Sequence, residues 1–391
     1  MRNELSYILI TPYSLQKSRT GGVIARLLSR TNLEFVGAKM FSPDEKFAEG
    51  YSELIKKTNN NTSNETLDLL SDYIKENFAP LNGRYQRVMM LLFRGDDARE
   101  KLFDIVGQIK PGIRTGETIR DTYSDYILNR DGSTRYFEPA VIVAPSLNKE
   151  GAMMNEEMKF IADFLNKQKN IIDKHLQVAE DDSDKRTLVI IKPDNWRYPS
   201  SRPGNVIDML SKTGLRIVGC KLYRMSVEEA LEFYGPVRDV LREKLSPKIG
   251  EKSKALLEKE LDIKLDVTSL QDLTDTVGMK FADDQFSQIV EFMSGIRPEN
   301  CKPSEISFPG KVKSLVLIYQ GENAVEKIRT VLGPTDPTKA PGGTIRRDFG
   351  TDVMVNTAHA SDSFENAKRE MNIIKIENND ICSIINSALT S

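Results

Sequence analysis

At 391 residues the chain exceeds one ordinary domain, and a usual domain size of about 100–150 residues divides it into two or three units, each able to bury a core. With 55 basic against 57 acidic residues it carries no global field that would select nucleic acid or an anionic membrane as its main partner. The longest apolar runs, Val88 to Phe93 and Leu315 to Tyr319, have strand length and fall far short of the roughly 20 residues a membrane span needs.

The first segment, Tyr7-Ile-Leu-Ile-Thr-Pro, reads as a strand ending in a turn, and with Glu4 close by it lacks the basic and apolar regions of a secretory signal. Cys220, Cys301 and Cys382 are too scattered for a metal or redox pair, so a reducing cytoplasm is the expected compartment. Further along, the chain repeats itself. Tyr7 to Pro12 returns as Leu188-Val-Ile-Ile-Lys-Pro, and Phe35-Val-Gly-Ala-Lys-Met as Ile217-Val-Gly-Cys-Lys-Leu. Gly95, Gly107 and Ile119-Arg120 return as Gly321, Gly333 and Ile345-Arg346, but at a larger offset, so the second copy holds about 44 extra residues between Tyr234 and Gly321.

Between the copies, Met153 to Gln177 has helical character and Glu180 to Asp184 is an acidic run. His175 reads as an exposed helix residue there. In the second copy, apolar periodicity predicts a strand at Thr187 to Ile191, a helix at Val206 to Lys212, a strand at Arg216 to Arg224 and a helix at Val227 to Tyr234. A strand follows at Leu315 to Tyr319 and a helix at Ala324 to Leu332, stopped by Gly333-Pro334. This order gives an α+β fold: two ferredoxin-like βαββαβ domains with antiparallel sheets and helices on one face. The expected boundaries are 1–148, a helical linker at 149–185, and 186–391 with an insertion within about 235–310; the inserted stretch Glu251 to Leu265 reads as an exposed helix.

The chemistry concentrates in Asn356-Thr-Ala-His359-Ala-Ser361-Asp-Ser363, which follows Gly343-Thr-Ile-Arg346-Arg-Asp-Phe349 and precedes Glu370. A neutral imidazole is a good nucleophile near pH 7 and can carry a phosphoryl group, given a carboxylate to orient it and cations to neutralise phosphate oxygens. Residues 187 to 376 resemble the nucleoside diphosphate kinase family in three motifs taken in the family's order: Lys192-Pro193-Asp194, Gly343 to Phe349, and Asn356 to Ser363. The resemblance implies that His359 is the catalytic carrier, positioned by Ser361 and Glu370. It also implies that Lys192, Tyr234, Arg329, Thr335, Arg346 and Asn356 hold the nucleotide phosphates and sugar, with Lys192 also serving catalysis. Phe286 is the candidate stacking platform for the base. The implied cofactor is Mg²⁺ held mainly by the nucleotide phosphates rather than by protein ligands, and the implied partners are nucleoside tri- and diphosphates.

The pattern departs from the family at Asn195 and Ala360, where glycine is usual, at Pro334, which replaces an acidic residue, and in a loop at Trp196 to Pro203 that reads two residues longer. The first copy departs further. It has Thr11 where Lys192 stands, Phe103 where Arg329 stands, and Pro139-Ala-Val-Ile-Val-Ala-Pro-Ser146 without a histidine. It keeps Arg120, Tyr51 and Gly116, and gains a hairpin signal at Asn129-Arg-Asp-Gly132. The expectation is a degenerate, structural first domain and an active second one. The chain would form a homo-oligomer or an intramolecular pseudo-dimer and run ping-pong transfer through phospho-His359. A non-enzymatic scaffold and a histidine phosphotransferase acting on a protein are the rival readings.

Overall fold

The computed structural model describes residues 3–58, 64–110, 112, 114–144, 152–172 and 185–390. His175 and Glu180 to Asp184 lie outside the described residues. The strands are β1 Asn3–Ile10, β2 Glu34–Phe41, β3 Val88–Asp96, β4 Asp125–Leu128, β5 Thr134–Glu138, β6 Val141–Val143, β7 Arg186–Ile191, β8 Arg216–Tyr223, β9 Ser314–Gln320 and β10 Ala358–Ala360. They form two four-stranded sheets of the same plan, β2-β3-β1-β6 and β8-β9-β7-β10, plus the hairpin β4-β5. β1 runs antiparallel to both β3 and β6, and β7 runs antiparallel to both β9 and β10, as the ferredoxin-like plan requires.

The molecule divides into two compact units, residues 1–222 with 315–391, and residues 223–314. The first unit contains both sheets around a shared core. Ile8, Ile10 and Leu91 of the first copy belong to the same buried cluster as Val189, Ile191 and Leu317 of the second. The helices Thr20–Arg30 and Arg202–Ser211 pack against each other where both carry glycine. A Cβ on Gly21 would stand 2.6 Å from the Gly204 carbonyl oxygen, and one on Gly204 would stand 2.2 Å from the Ala25 nitrogen. Only glycine permits that approach.

The expectation of helices on one face fails for the first sheet. Leu5 to Ile10 is buried without a break, because a second cluster covers the face that Tyr7, Leu9, Met90 and Leu92 present. That cover includes the helices Glu45–Thr58 and Asn64–Phe78, the helix Ala152–Leu165, and the carboxy-terminal helix Ile381–Thr390. The helix of the expected linker is thus part of the first copy's core. Its Glu157 is fully buried and accepts a hydrogen bond from Tyr7, whose hydroxyl is also 2.9 Å from that of Tyr51. Tyr51, kept from the family pattern, therefore serves packing here.

The second unit is helical. Ser226 and Glu229 form a reciprocal capping box that starts the helix Val227–Phe233. A single helix, Gly235–Leu261, then runs through Pro247; the helix expected at Glu251 to Leu265 is its distal part, stopped at Leu261 by the left-handed Asp262. It packs against Met279–Ser294. Asp283 accepts two bonds from Arg242, both 2.8 Å, and one of 3.0 Å from Arg238, and these cations hold its carboxyl down at about 2.

Candidate active site

His359 is the middle residue of β10, paired with Ile190 of β7, so its place is fixed by the backbone ladder of the sheet. Ser363, in the same motif, caps the helix Phe364–Ile373 by accepting from the Asn366 nitrogen at 3.0 Å. That helix buries Ala367, Glu370 and Ile373, residues spaced along one face. Glu370 thereby faces the sheet, 2.9 Å from His359 Nε2, and its same oxygen accepts from Ser361 at 2.6 Å. A carboxylate that accepts from Nε2 assigns the proton to that nitrogen, so Nδ1 carries the lone pair.

The backbone leading into β10 is tied to the end of β7. Lys192 donates its backbone N–H to the Thr357 carbonyl at 3.0 Å, and its ammonium to Asn356 Oδ1 at 2.7 Å and the Met354 carbonyl at 3.2 Å. Asn356 in turn donates to the carbonyls of Thr335 and Val353 at 3.1 and 2.9 Å. Burial, and next the nearby Arg346, lower the Lys192 pKa to about 8. Asn195, the departure from the usual glycine, bonds the carbonyls of Lys192 and Thr357 at 3.0 and 2.7 Å and so reinforces the same junction.

Arg346 donates to the Gly333 carbonyl at 2.9 Å and to that of Ala358, next to the histidine, at 3.0 Å. Together with the exposed Arg329 on the helix Ala324–Leu332 it lines a cleft of about 970 Å³ that also takes in Lys185, Pro334 and Asp362. His359 does not line that cleft, and Arg346 connects the two. The side chain of Thr335 is exposed. Tyr234 and Phe286 belong to the second unit. Tyr234 joins its first two helices, and Phe286 is buried with the Arg238 guanidinium 5.6 Å from its ring centre.

The first copy has the same scaffold with different contents. Ile142 pairs with Leu9 as His359 pairs with Ile190. Arg120 donates to the carbonyls of Gly107 and Val141 at 2.6 and 3.1 Å, the counterpart of the two bonds from Arg346, but it is completely buried and its pKa is lowered to about 9 by that burial. Thr11 donates to the buried Glu138 at 2.7 Å, and Tyr73 donates to the other oxygen of that carboxyl. Burial raises the Glu138 pKa.

Two residues of the site were not singled out from sequence. Thr357 has φ +76°, rare for a β-branched residue, and Arg202 bonds its hydroxyl at 2.9 Å. Asp194 of the Lys-Pro-Asp motif accepts from the same guanidinium at 3.0 Å.

Comparison with known proteins bears on the family. The family model for nucleoside diphosphate kinase matches residues 275–379. The nucleoside diphosphate kinase of Anaeromyxobacter dehalogenans strain 2CP-C is 31% identical over 186 residues, 48% of this chain and 85% of that protein. That of Chlamydia caviae is 30% identical over 205 residues, 52% of this chain and 98% of its own length. The solved NDP kinase of Pyrobaculum aerophilum shares 27% identity, spans 48% of this chain and 94% of that one, and superposes with a TM-score of 0.32. The chain belongs to the nucleoside diphosphate kinase family.

Proposed function

We propose that this chain is a nucleoside diphosphate kinase that passes phosphate through His359. The observation that carries the reading is the bond from His359 Nε2 to Glu370, itself held by Ser361, which leaves the lone pair on Nδ1. In the first half-reaction Nδ1 attacks the γ-phosphorus of a nucleoside triphosphate, a P–N bond forms, the bond to the β-phosphate oxygen breaks, and the diphosphate leaves. In the second, a terminal oxygen of another diphosphate attacks, the P–N bond breaks, and a triphosphate leaves. As the ring gains positive charge, Glu370 stabilises it across Nε2–H.

Lys192, Arg329 and Arg346 supply cations for the phosphates, the two arginines as planar forks and Lys192 as a point charge. Asn356 holds the Lys192 ammonium in place. Thr335, Tyr234 and Phe286 are proposed to contact the sugar and base. Mg²⁺ would be held mainly by the nucleotide phosphates rather than by protein ligands, and the chemistry it would supply is neutralisation of phosphate charge. The cations and neutral amides around the histidine suit a metal clothed in phosphate oxygens.

The first copy is proposed to support the second without catalysing. An isoleucine occupies the histidine position, and the Glu138 carboxyl is buried nearby. A homo-oligomer built on this internally paired chain, in the cytoplasm, completes the proposal. Among the described residues no helix is long and apolar enough to cross a membrane.

Steady-state kinetics with ATP and GDP test the assignment. Double-reciprocal plots at several fixed GDP concentrations should be parallel, and His359→Ala should abolish GTP formation. Intersecting lines, or full activity in His359→Ala, would reject it.

A further inference from the structure

Thr357 lies two residues before His359, and its left-handed backbone, with φ +76°, is strained for a β-branched residue, so the surroundings must hold it. Three neighbours hold it. The Lys192 nitrogen and Asn195 Nδ2 donate to its carbonyl, at 3.0 and 2.7 Å, and Arg202 donates to its hydroxyl at 2.9 Å. The same Arg202 nitrogen reaches Asp194 Oδ2 at 3.0 Å and the Phe349 carbonyl, and the guanidinium lies 5.9 Å from the centre of the Phe349 ring. One side chain thus joins the segment after β7, the end of the Gly343 to Phe349 motif, and the turn that launches the histidine strand.

The first copy supplies an internal control. Arg19 stands two residues before Gly21 as Arg202 stands two before Gly204, and it likewise donates to the carbonyl of Tyr123, the counterpart of Phe349. Its charge pairs instead with Asp125 at 3.3 Å. The corresponding turn residue, Ala140, also has a left-handed φ of +63° but has no side-chain oxygen, and the strand beyond it carries Ile142. At this turn the first copy thus offers the guanidinium no hydroxyl to grip.

We propose that Arg202 is a positioning residue for His359, acting through the strained Thr357 turn. It rests on the reading of His359 as the phosphoryl carrier. Alignment of a nucleophile within a fraction of an ångström governs such transfers, and a misplacement of about 1 Å costs about 100-fold.

The test measures phosphohistidine formation from ATP and Mg²⁺ in single turnovers, alongside ADP affinity and thermal unfolding, for wild type, Arg202→Met, Thr357→Val, Thr357→Gly and the Arg202→Met/Thr357→Gly double variant. Thr357→Val removes the hydroxyl and keeps the strain, whereas Thr357→Gly removes the strain. Arg202→Met and Thr357→Val should each slow phosphorylation by about 10- to 100-fold with ADP affinity within about twofold of wild type. In the Thr357→Gly background, Arg202→Met should cost less than about threefold, since a glycine turn needs no clamp. Equal losses from Arg202→Met in both backgrounds, or a lowered melting temperature with an unchanged rate, would overturn the inference. Wild type that takes no phosphoryl at all would instead refute the reading of His359 on which it rests.

Discussion

Glu370 accepts from His359 and Ser361 through one oxygen, so the ring's orientation and tautomer depend on a single carboxylate. Glu370→Ala should therefore slow phosphohistidine formation by about 100-fold while nucleotide affinity stays near wild type. An unchanged rate in rapid-quench labelling would show that the bond has no role in orientation. Lys192 makes a second, pH-dependent prediction. Burial lowers its pKa to about 8, below the usual lysine value, so free protein loses this positive charge as pH rises through about 8. Phosphate binding favours the charged form, so ADP affinity should fall between pH 7 and 9. In Lys192→Arg the fall should flatten, because guanidinium stays charged; calorimetric titration across that range would reveal an equal slope if the lysine is not involved. These residues were legible in the sequence because their chemistry requires their type. Arg202 and Thr357 were not, because their roles come from a backbone dihedral and from contacts 147 and 155 residues apart along the chain.

At the scale of elements, the crossing of Thr20–Arg30 and Arg202–Ser211 depends on the absence of two side chains. Gly204→Val would drive atoms into the Ala25 backbone and force the helices apart. A loss of about 1–3 kcal/mol or more is expected, seen as a lower midpoint in urea unfolding, and an unchanged midpoint would contradict the close packing described. Strands and helices of the second copy were readable from periodicity, and the repeat carried the strand–helix–strand order to the first, but not its helices Glu45–Thr58 and Asn64–Phe78. The double-sided cover of the first sheet was not, since a fully apolar strand such as Tyr7 to Ile10 says that both faces are buried and not what buries them. The helix Ala152–Leu165 misled for a similar reason: its position between repeats pointed to a linker, while its Met158, Ile161 and Leu165 pack into the first core.

For the whole molecule, one four-stranded plan occurs twice, and the His359–Glu370 pair stands in the second. The Arg120 and Arg346 pair shows that a residue can recur for a structural reason, since both arginines brace the same two backbone positions. The histidine has no counterpart there: in the first copy Ile142 stands at its register position, and the buried Glu138 is bonded to Thr11, which stands where Lys192 does. Ile142→His in a His359→Ala chain should consequently restore no phosphorylation; labelling of that variant would show that the first copy still admits nucleotide. The most direct measurement is to incubate the full chain with γ-labelled ATP and Mg²⁺ and to follow the label after GDP is added. An acid-labile, base-stable phosphoryl group that saturates at one per chain, is absent from His359→Ala and leaves as GTP is the predicted result. Labelling that persists in folded His359→Ala, or wild type that binds nucleotide yet takes no label, would contradict it.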